Sequence, residues 1–303
     1  MRRLRAIILG LILAIGLAVL AGPAAARLVT DEMGRQVSVP EHPQRLIGLT
    51  PSLTEVLFAL GLGDKVIGAT TWADHPPAAR KLPRVGAYVS PNMERLVALK
   101  PDLVLANKEG NPPWVVHRLE AIGIPVYVTV PVAPAELPAS FERLGTALGA
   151  PEAGKALARR LEHDFAEVAR RLAGVKPRPT LVAIGSRPLV SVGEGTMNHR
   201  LLKMAGGFNV ASAAGQRWPR LNLEYVVGAK PEVIIVSTME RSQDLERELN
   251  YWRTLHGVGD RPGVRVVSIP SDIIDRPGPR VGRGLAELAR LVHPECFAPE
   301  KGR

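Results

Sequence analysis

The sequence predicts an α/β protein with two duplicated lobes, each a mainly parallel sheet flanked by helices, joined by one long interlobe helix. Short apolar segments alternate with helical patterns, which is typical of strand–helix units around a parallel sheet. An eleven-residue pattern occurs twice, which indicates structural duplication. A long, highly charged helical segment separates the two copies. We therefore expect an N-terminal lobe over residues 27–150, the interlobe helix over residues 151–175 and a C-terminal lobe over residues 176–303.

Residues 1–26 are predicted to be a cleavable secretory signal peptide. Three arginines precede an uncharged apolar segment over residues 6–20, and the alanines at 24–26 provide the small residues that a signal peptidase requires. The competing interpretation is an uncleaved membrane anchor, because residues 6–26 carry no charge and about 20 apolar residues can span a bilayer. The Gly-Pro pair before the alanines favours cleavage, so we expect an exported protein.

In the N-terminal lobe, apolar segments predict four strands, at residues 45–49, 66–70, 103–106 and 126–129. Ser52 and Glu55 are spaced as a capping box, which predicts that a helix begins there. Further helical patterns cover residues 113–122 and 136–148. Trp114 and, in the other lobe, Trp252 fall within helical patterns and are expected in the core.

The segment at residues 151–172 combines many charges with apolar residues at helical spacing, which predicts the helix between the lobes. In the C-terminal lobe, short apolar segments again alternate with helical patterns. The strands predicted there lie at residues 181–184, 233–237 and 264–269.

The internal repeat is the most informative feature of the sequence. Residues 92–102 and 222–232 both follow the pattern N-x-E-x-x-V-x-x-K-P-acid, and each precedes a predicted strand. The glutamates, Glu94 and Glu224, are placed in the first turn of a helix, where the helix dipole stabilises an acidic side chain. Helix capping alone explains either glutamate by itself. The same residue at the same point of both lobes would also let a two-fold partner bind both.

Composition and motif content argue against other classes of function. The formal net charge is +10, but the arginines are scattered and aromatic residues are only 4% of the chain, which does not fit a nucleic-acid interface. The single cysteine, Cys296, cannot form an intramolecular disulfide and is too few for a metallocluster. No nucleophile-elbow, zinc-protease or phosphate-loop motif is present, and no histidines show zinc-ligand spacing. We therefore expect no catalytic residues, and a periplasmic metal-dependent enzyme is the remaining alternative among enzymes.

Several segments together resemble the periplasmic vitamin B12-binding family, within the larger group of metal-receptor and iron–siderophore binding proteins whose two lobes are joined by a rigid helix. Besides the repeat, they are LIGLTPSLTE at 46–55, ATTWADHPP at 69–77, WPRLNLE at 218–224 and SDIIDRPGPR at 271–280. The resemblance implies a periplasmic protein that captures cobalamin or a related corrinoid and delivers it to the permease dimer of an ABC importer. Cobalamin would be the transported ligand, and no cofactor is expected.

The resemblance also implies which residues contact the corrinoid: Trp72, Tyr88, Trp218, Asp272 and Arg276. The three aromatic residues follow predicted strands, in loops where parallel sheets place their ligands. A corrin is a broad, partly apolar ring fringed with amides, so flat aromatic faces with few polar anchors suit it. For the aspartate and the arginine, a local salt bridge that closes their own loop is an equally open interpretation.

Glu94 and Glu224 stand where the permease-docking glutamates of that family stand. The chain departs from the family at His75, where the usual Asp-Tyr-Pro-Pro loop has a tyrosine. A histidine at this point could ligate cobalt or a haem iron, or could simply pack on the neighbouring prolines. It leaves haem or an iron–siderophore open as alternative ligands.

Overall fold

The computed structural model describes residues 26–238 and 244–298. The predicted signal peptide lies outside these residues except for Ala26, with which the first strand begins. Within the described ranges, none of the helices combines the length and the apolar character needed to cross a membrane.

Strands and helices alternate along both halves of the chain. The strands are β1 (Ala26–Thr30), β2 (Gln36–Pro40), β3 (Leu46–Gly48), β4 (Val66–Ala69), β5 (Gly86–Ala87), β6 (Ser90–Pro91), β7 (Leu103–Asn107), β8 (Val126–Thr129), β9 (Arg178–Ser186), β10 (Leu189–Ser191), β11 (Gly207–Asn209), β12 (Val233–Thr238) and β13 (Arg265–Pro270). The helices are α1 (Pro51–Ala59), α2 (Met93–Ala98), α3 (Pro113–Ala121), α4 (Leu137–Ala147), α5 (Pro151–Arg171), α6 (Met197–Met204), α7 (Leu223–Ala229), α8 (Asp244–Thr254) and α9 (Val281–Val292).

The two sheets share one topology, which confirms the predicted duplication. The N-terminal sheet is parallel throughout, in the order β4-β3-β7-β8. The parallel strands of the C-terminal sheet have the order β11-β9-β12-β13. Both sheets therefore place their strands in the order second, first, third, fourth. The C-terminal sheet adds β10, which pairs antiparallel with β9.

The start of α1 corrects the predicted capping box. Thr50 is the N-cap, and its side-chain oxygen accepts a hydrogen bond of 3.3 Å from the backbone N–H of Leu53. Glu55 therefore lies in the second turn, too far along to cap the helix, and only 3% of it is exposed. Its carboxylate is available for another partner.

Helix α5 packs against both lobes. A Cβ atom on Gly145 of α4 would lie 2.7 Å from the Cα of Gly154, so α4 and α5 touch through their backbones. A Cβ atom on Gly282 of α9 would lie 2.8 Å from the Cβ of Asp164, so α9 crosses the same helix closely. Glycine at these contacts lets one helix hold an element from each lobe at short range.

The two tryptophans predicted in the core have different environments. Trp252, on α8, is fully buried against the C-terminal sheet, as expected. Trp114 is 47% exposed, so its prediction was wrong. On α3 the buried stripe consists of Val115, Val116 and Leu119, and Trp114 lies on the other side of the helix.

Candidate functional site

A large cleft lies between the lobes, with a volume of about 1300 Å³. This volume exceeds the range of about 300–1,000 Å³ that is usual for small-molecule sites. Its walls are formed by segments at the carboxyl ends of the strands of both lobes, where α/β sheets bind ligands. The five residues predicted to contact a ligand all line this cleft: Trp72, Tyr88, Trp218, Asp272 and Arg276.

Three aromatic side chains of the cleft are unusually open to solvent. Trp72 is 55% exposed, Tyr88 38% and Trp218 49%. Exposed apolar side chains that cluster in one groove are typical of binding sites, whereas single ones on the surface are ordinary. These rings therefore offer flat surfaces to a ligand that is broad and partly apolar.

Hydrogen bonds that are buried or half-buried hold the loops that carry two of these rings. Arg84 donates to two backbone carbonyls of the loop that carries Trp72, at 2.9 Å each. The amide of Asn111 donates to the carbonyl of Tyr88 and to the carbonyl that follows β3, also at 2.9 Å each. Since both donors reach carbonyls distant in sequence, they fix the loops against the N-terminal sheet.

A close backbone contact holds the segment that carries Trp218. The N–H of Gly193 donates to the carbonyl of Arg217 at 2.8 Å. A side chain at position 193 would collide with the carbonyl oxygen of Gln216, so only glycine permits this approach. The third aromatic residue is thus positioned by the backbone of its own lobe.

The cleft holds an ion-pair cluster that joins the lobes, with a buried glutamate at its centre and half-buried residues around it. Glu55, from α1 of the N-terminal lobe, accepts two hydrogen bonds of 2.7 Å from the Nε and Nη2 atoms of Arg280. The Nη1 atom of Arg276 lies 3.4 Å from the same carboxylate. Both arginines belong to the C-terminal lobe. We call Glu55, Arg276 and Arg280, with the two outer carboxylates Asp74 and Asp272, the interlobe cluster.

Each arginine of the interlobe cluster also pairs with one of the two outer carboxylates. Asp74 lies 3.1 Å from Arg276, and Asp272 lies 2.7 Å from Arg280. Burial opposes the charge of Arg280, but its hydrogen bonds to Glu55 and Asp272 outweigh this effect and raise its pKa above the ordinary value. The loop at 270–280 is thus closed by a local salt bridge, but Asp272 makes it with Arg280 and not with Arg276.

Asp275 is a second polar feature of the cleft wall. Its carboxylate accepts a hydrogen bond from the side-chain amide of Asn198, which also lines the cleft. Burial between the cleft walls raises the pKa of Asp275 to about 6, against the lowering effects of Asn198 and Arg276. The side chain remains accessible from the cleft, so solvent there reduces the energetic effect of this shift.

A more exposed ion pair also joins the lobes. Glu109, in the loop after β7, lies 2.8 Å from Arg217, which directly precedes Trp218. Both side chains are about half exposed, so the pair contributes little to stability. It nevertheless connects two loops of the cleft across the gap.

Histidines do not contribute to the cleft. All seven histidines lie within the described ranges, and none of them lines it. His75, the candidate metal ligand, is half-buried beside Asp74, and it is Asp74 that faces the cleft. Over residues 26–238 and 244–298, no group of three or more His, Cys, Asp or Glu residues is arranged to hold a metal ion.

The repeated segments form equivalent surfaces on the two lobes. Asn92 caps α2 by accepting a hydrogen bond of 2.9 Å from the backbone three residues on, and Asn222 caps α7 in the same way at 2.8 Å. Glu94 and Glu224 follow in the first turns and are both exposed. The repeat thus reproduces the same capped helix start, with the same exposed carboxylate, in both lobes.

The equivalence extends beyond the glutamates. Val97 and Val227, three residues after each glutamate, are 37% and 42% exposed and lie on the same helical face as the acid. Lys100 and Lys230 both have a φ of 48°, in the left-handed region that ends a helix. Each lobe therefore presents one exposed carboxylate beside one exposed valine. We call these two surfaces the acidic faces.

Sequence reasoning missed several residues that the structure brings into the site. Glu55 and Arg280 lie within segments that carried the family resemblance, but nothing in the sequence pairs them. Asp275 lies in one of these segments too, again without a signal of its role, and Asn198 and Arg217 had no sequence signal beyond their position near strand ends or aromatic residues.

Both the sequence and the fold are similar to those of known binding proteins. The chain matches the family described as periplasmic binding protein over residues 46–251. A vitamin B12-binding protein of Photorhabdus laumondii is 33% identical over 251 residues, which are 83% of this chain and 88% of that protein.

Two solved structures show the same fold. The periplasmic vitamin B12 binding protein BtuF of Vibrio cholerae has a TM-score of 0.74 at 24% identity, with coverage of 85% of this chain and 99% of that chain. The apo form of the periplasmic heme-binding protein RhuT from Roseiflexus sp. RS-1 also has a TM-score of 0.74, at 26% identity, with coverage of 84% and 99%.

Replacing Glu55 by Gln should strongly destabilise the protein. The variant leaves Arg276 and Arg280 without their shared charged partner, and breaking a buried pair from one side costs about 3–5 kcal/mol. The free energy of unfolding in urea measures this loss. Glu167→Gln is the matched control, because Glu167 also pairs with two arginines but at the exposed surface of α5. Equal, small effects of the two changes would contradict a structural role for the interlobe cluster.

Replacing Asp275 by Asn should alter how stability depends on pH. The folded-state pKa of about 6 lies above the ordinary value of 3.8, so the folded protein binds this proton more tightly than the unfolded chain. The contribution is fully present below about pH 4 and is lost as the pH rises to about 6. Relative to the wild type, the variant should therefore gain stability across this window. Parallel stability profiles from urea unfolding at several pH values would disprove the shift.

Proposed function

The chain belongs to the periplasmic binding protein family, and on that premise we propose that it captures a corrinoid such as vitamin B12 in the interlobe cleft and delivers it to the permease of an ABC importer. The corrinoid is cargo, and the protein acts as a monomeric binding protein in the periplasm. No catalytic residue is assigned to it.

The observation that carries this proposal is the set of three exposed aromatic rings in a cleft of about 1300 Å³. A corrin needs a wide cleft and flat apolar contacts, because its ring is broad and its amides point outward. The relative from Photorhabdus laumondii, whose similarity covers most of both chains, is described as vitamin B12-binding.

Haem is the competing ligand, because a solved structure with the same fold is described as heme-binding. Haem iron is usually held by an axial protein ligand such as histidine or tyrosine. None of the histidines lines the cleft, whereas Tyr88 offers a phenol there. Titration of one protein preparation with cyanocobalamin, haemin and a ferric siderophore separates the candidates. We expect cyanocobalamin to bind most tightly, and a preference for haemin would replace the corrinoid as ligand.

The proposed mature chain begins at Arg27, directly after the signal peptide. The guanidinium of Arg27 donates to the carbonyls of Thr146 and Ala147 at the end of α4, the latter at 3.0 Å. Removal of the preceding residues leaves this contact intact, so cleavage after Ala26 is compatible with the fold.

The acidic faces are proposed to dock onto the permease. Glu94 and Glu224 lie at the same point of two equivalent lobes, so a two-fold permease can bind one with each subunit. Exposed carboxylates suit arginines on a partner, since charge-assisted contacts set orientation and capture. The adjoining valines, Val97 and Val227, add a small apolar contact on each side.

Changing Trp72, Tyr88 or Trp218 singly to Ala should weaken cyanocobalamin binding by roughly 1–3 kcal/mol each, because each change removes an aromatic surface of the cleft. Isothermal titration calorimetry measures the affinities. Trp114→Ala is the control, since Trp114 is similarly exposed but does not line the cleft. The cleft assignment is wrong if none of the three changes alters the affinity.

Changing Glu94 and Glu224 together to Ala should leave cyanocobalamin affinity unchanged while uptake into cells falls sharply, because the contacts with the permease are lost. Reversal to Lys should reduce uptake further, since it adds repulsion. Glu152→Ala is the control, as Glu152 is an exposed glutamate in the first turn of α5 outside the repeat. If the double Ala variant showed normal uptake and lowered stability, the docking role would be wrong and both glutamates would serve only to stabilise their helices.

A further inference from the structure

One arginine of the cleft differs from the others in its charge partners. Arg217 pairs with Glu109, and Arg276 and Arg280 pair within the interlobe cluster. Arg283 also lines the cleft, is exposed, and makes no hydrogen bond or ion pair with any residue in the described parts of the chain. Its positive charge is therefore available to a ligand.

Helix packing fixes the backbone position of Arg283. It lies in the first turn of α9, directly after Gly282, which packs against α5. Asp275, the acidic residue of the cleft wall outside the ion pairs, accepts a hydrogen bond from Asn198 and forms no ion pair with Arg283, both of which the structure describes. A ligand that fills the cleft would remove water from this guanidinium.

A neutral ligand at this point would leave a desolvated charge uncompensated, which is unfavourable. An oxyanion on the ligand would compensate it, because the planar guanidinium donates two parallel hydrogen bonds to phosphate or carboxylate oxygens.

We infer that Arg283 recognises a peripheral oxyanion of the ligand, which for a complete corrinoid is the phosphodiester of its nucleotide loop. This inference rests on the proposed function. It makes Arg283 a residue that distinguishes complete corrinoids from those without the nucleotide. On haem, the propionate carboxylates would supply the same chemistry.

The test compares two corrinoids in the full mature protein: cyanocobalamin, which carries the phosphodiester, and dicyanocobinamide, which lacks the nucleotide loop. Arg283→Gln should weaken cyanocobalamin binding about tenfold or more, because it removes hydrogen bonds to a charged group. Binding of dicyanocobinamide should change less than about twofold. Added salt should weaken cyanocobalamin binding to the wild type more than to the variant.

Two further variants keep the result interpretable. Arg283→Lys retains the charge but not the two parallel N–H donors of the guanidinium. Its affinity for cyanocobalamin should fall between those of the wild type and Arg283→Gln. Arg290→Gln is the matched control, because Arg290 lies on the same helix and is exposed, but pairs with Glu287 away from the cleft. It should bind both corrinoids like the wild type. Thermal melting checks that every variant is folded.

Equal loss of both corrinoids in Arg283→Gln, or loss of neither, would overturn the inference while leaving the proposed function intact. Failure of the wild type to bind either corrinoid would instead refute the proposed ligand. In that case haemin and its dimethyl ester provide the comparison. Selective loss of haemin binding in Arg283→Gln would then support recognition of an oxyanion, and equal binding of haemin and its ester would overturn it.

Discussion

The charge of Glu55 is the constraint on which the arrangement of the lobes depends. Its carboxylate is almost completely buried, and a buried charge without partners is strongly destabilising. The guanidiniums that compensate it, from Arg276 and Arg280, belong to the opposite lobe. Separating the lobes at this point would leave all three charges without their main partners. Together with α5, which packs against α4 and α9, this cluster limits how far the cleft can widen at its floor.

Pairing within the interlobe cluster also determines what remains for a ligand. The charges of Asp272 and Arg276 are already compensated within the cluster, so these side chains can offer a ligand hydrogen bonds but no unpaired charge. The three exposed rings supply apolar area on both lobes. Among the cleft residues that the structure describes, Arg283 carries a charge without an ion-pair partner. The recognition that we propose combines flat apolar contact with this one charge.

Duplication gives the protein two equivalent outer surfaces in addition to one cleft. Because both sheets have the same strand order, the helix before the third strand occupies the same place in each lobe. Glu94 and Glu224 sit on those helices, each behind an asparagine cap. A partner with two-fold symmetry can therefore meet the same side chains on both lobes. The capping chemistry that starts each helix is also what positions its exposed carboxylate.

The sequence by itself determined the α/β class, the duplication and the loop positions of the aromatic residues, because periodicity and repetition are local properties of a chain. It missed six strands: β1 and β2, and also β5, β6, β10 and β11, which span only two or three residues and carry no periodic signal. It misplaced Trp114, because a helical pattern does not show which side of a short helix meets the core. Only the tertiary structure decided the partners of Glu55. Arg280 is 225 residues away, and ion pairs depend on which loops converge in space, which the order of residues along the chain does not specify.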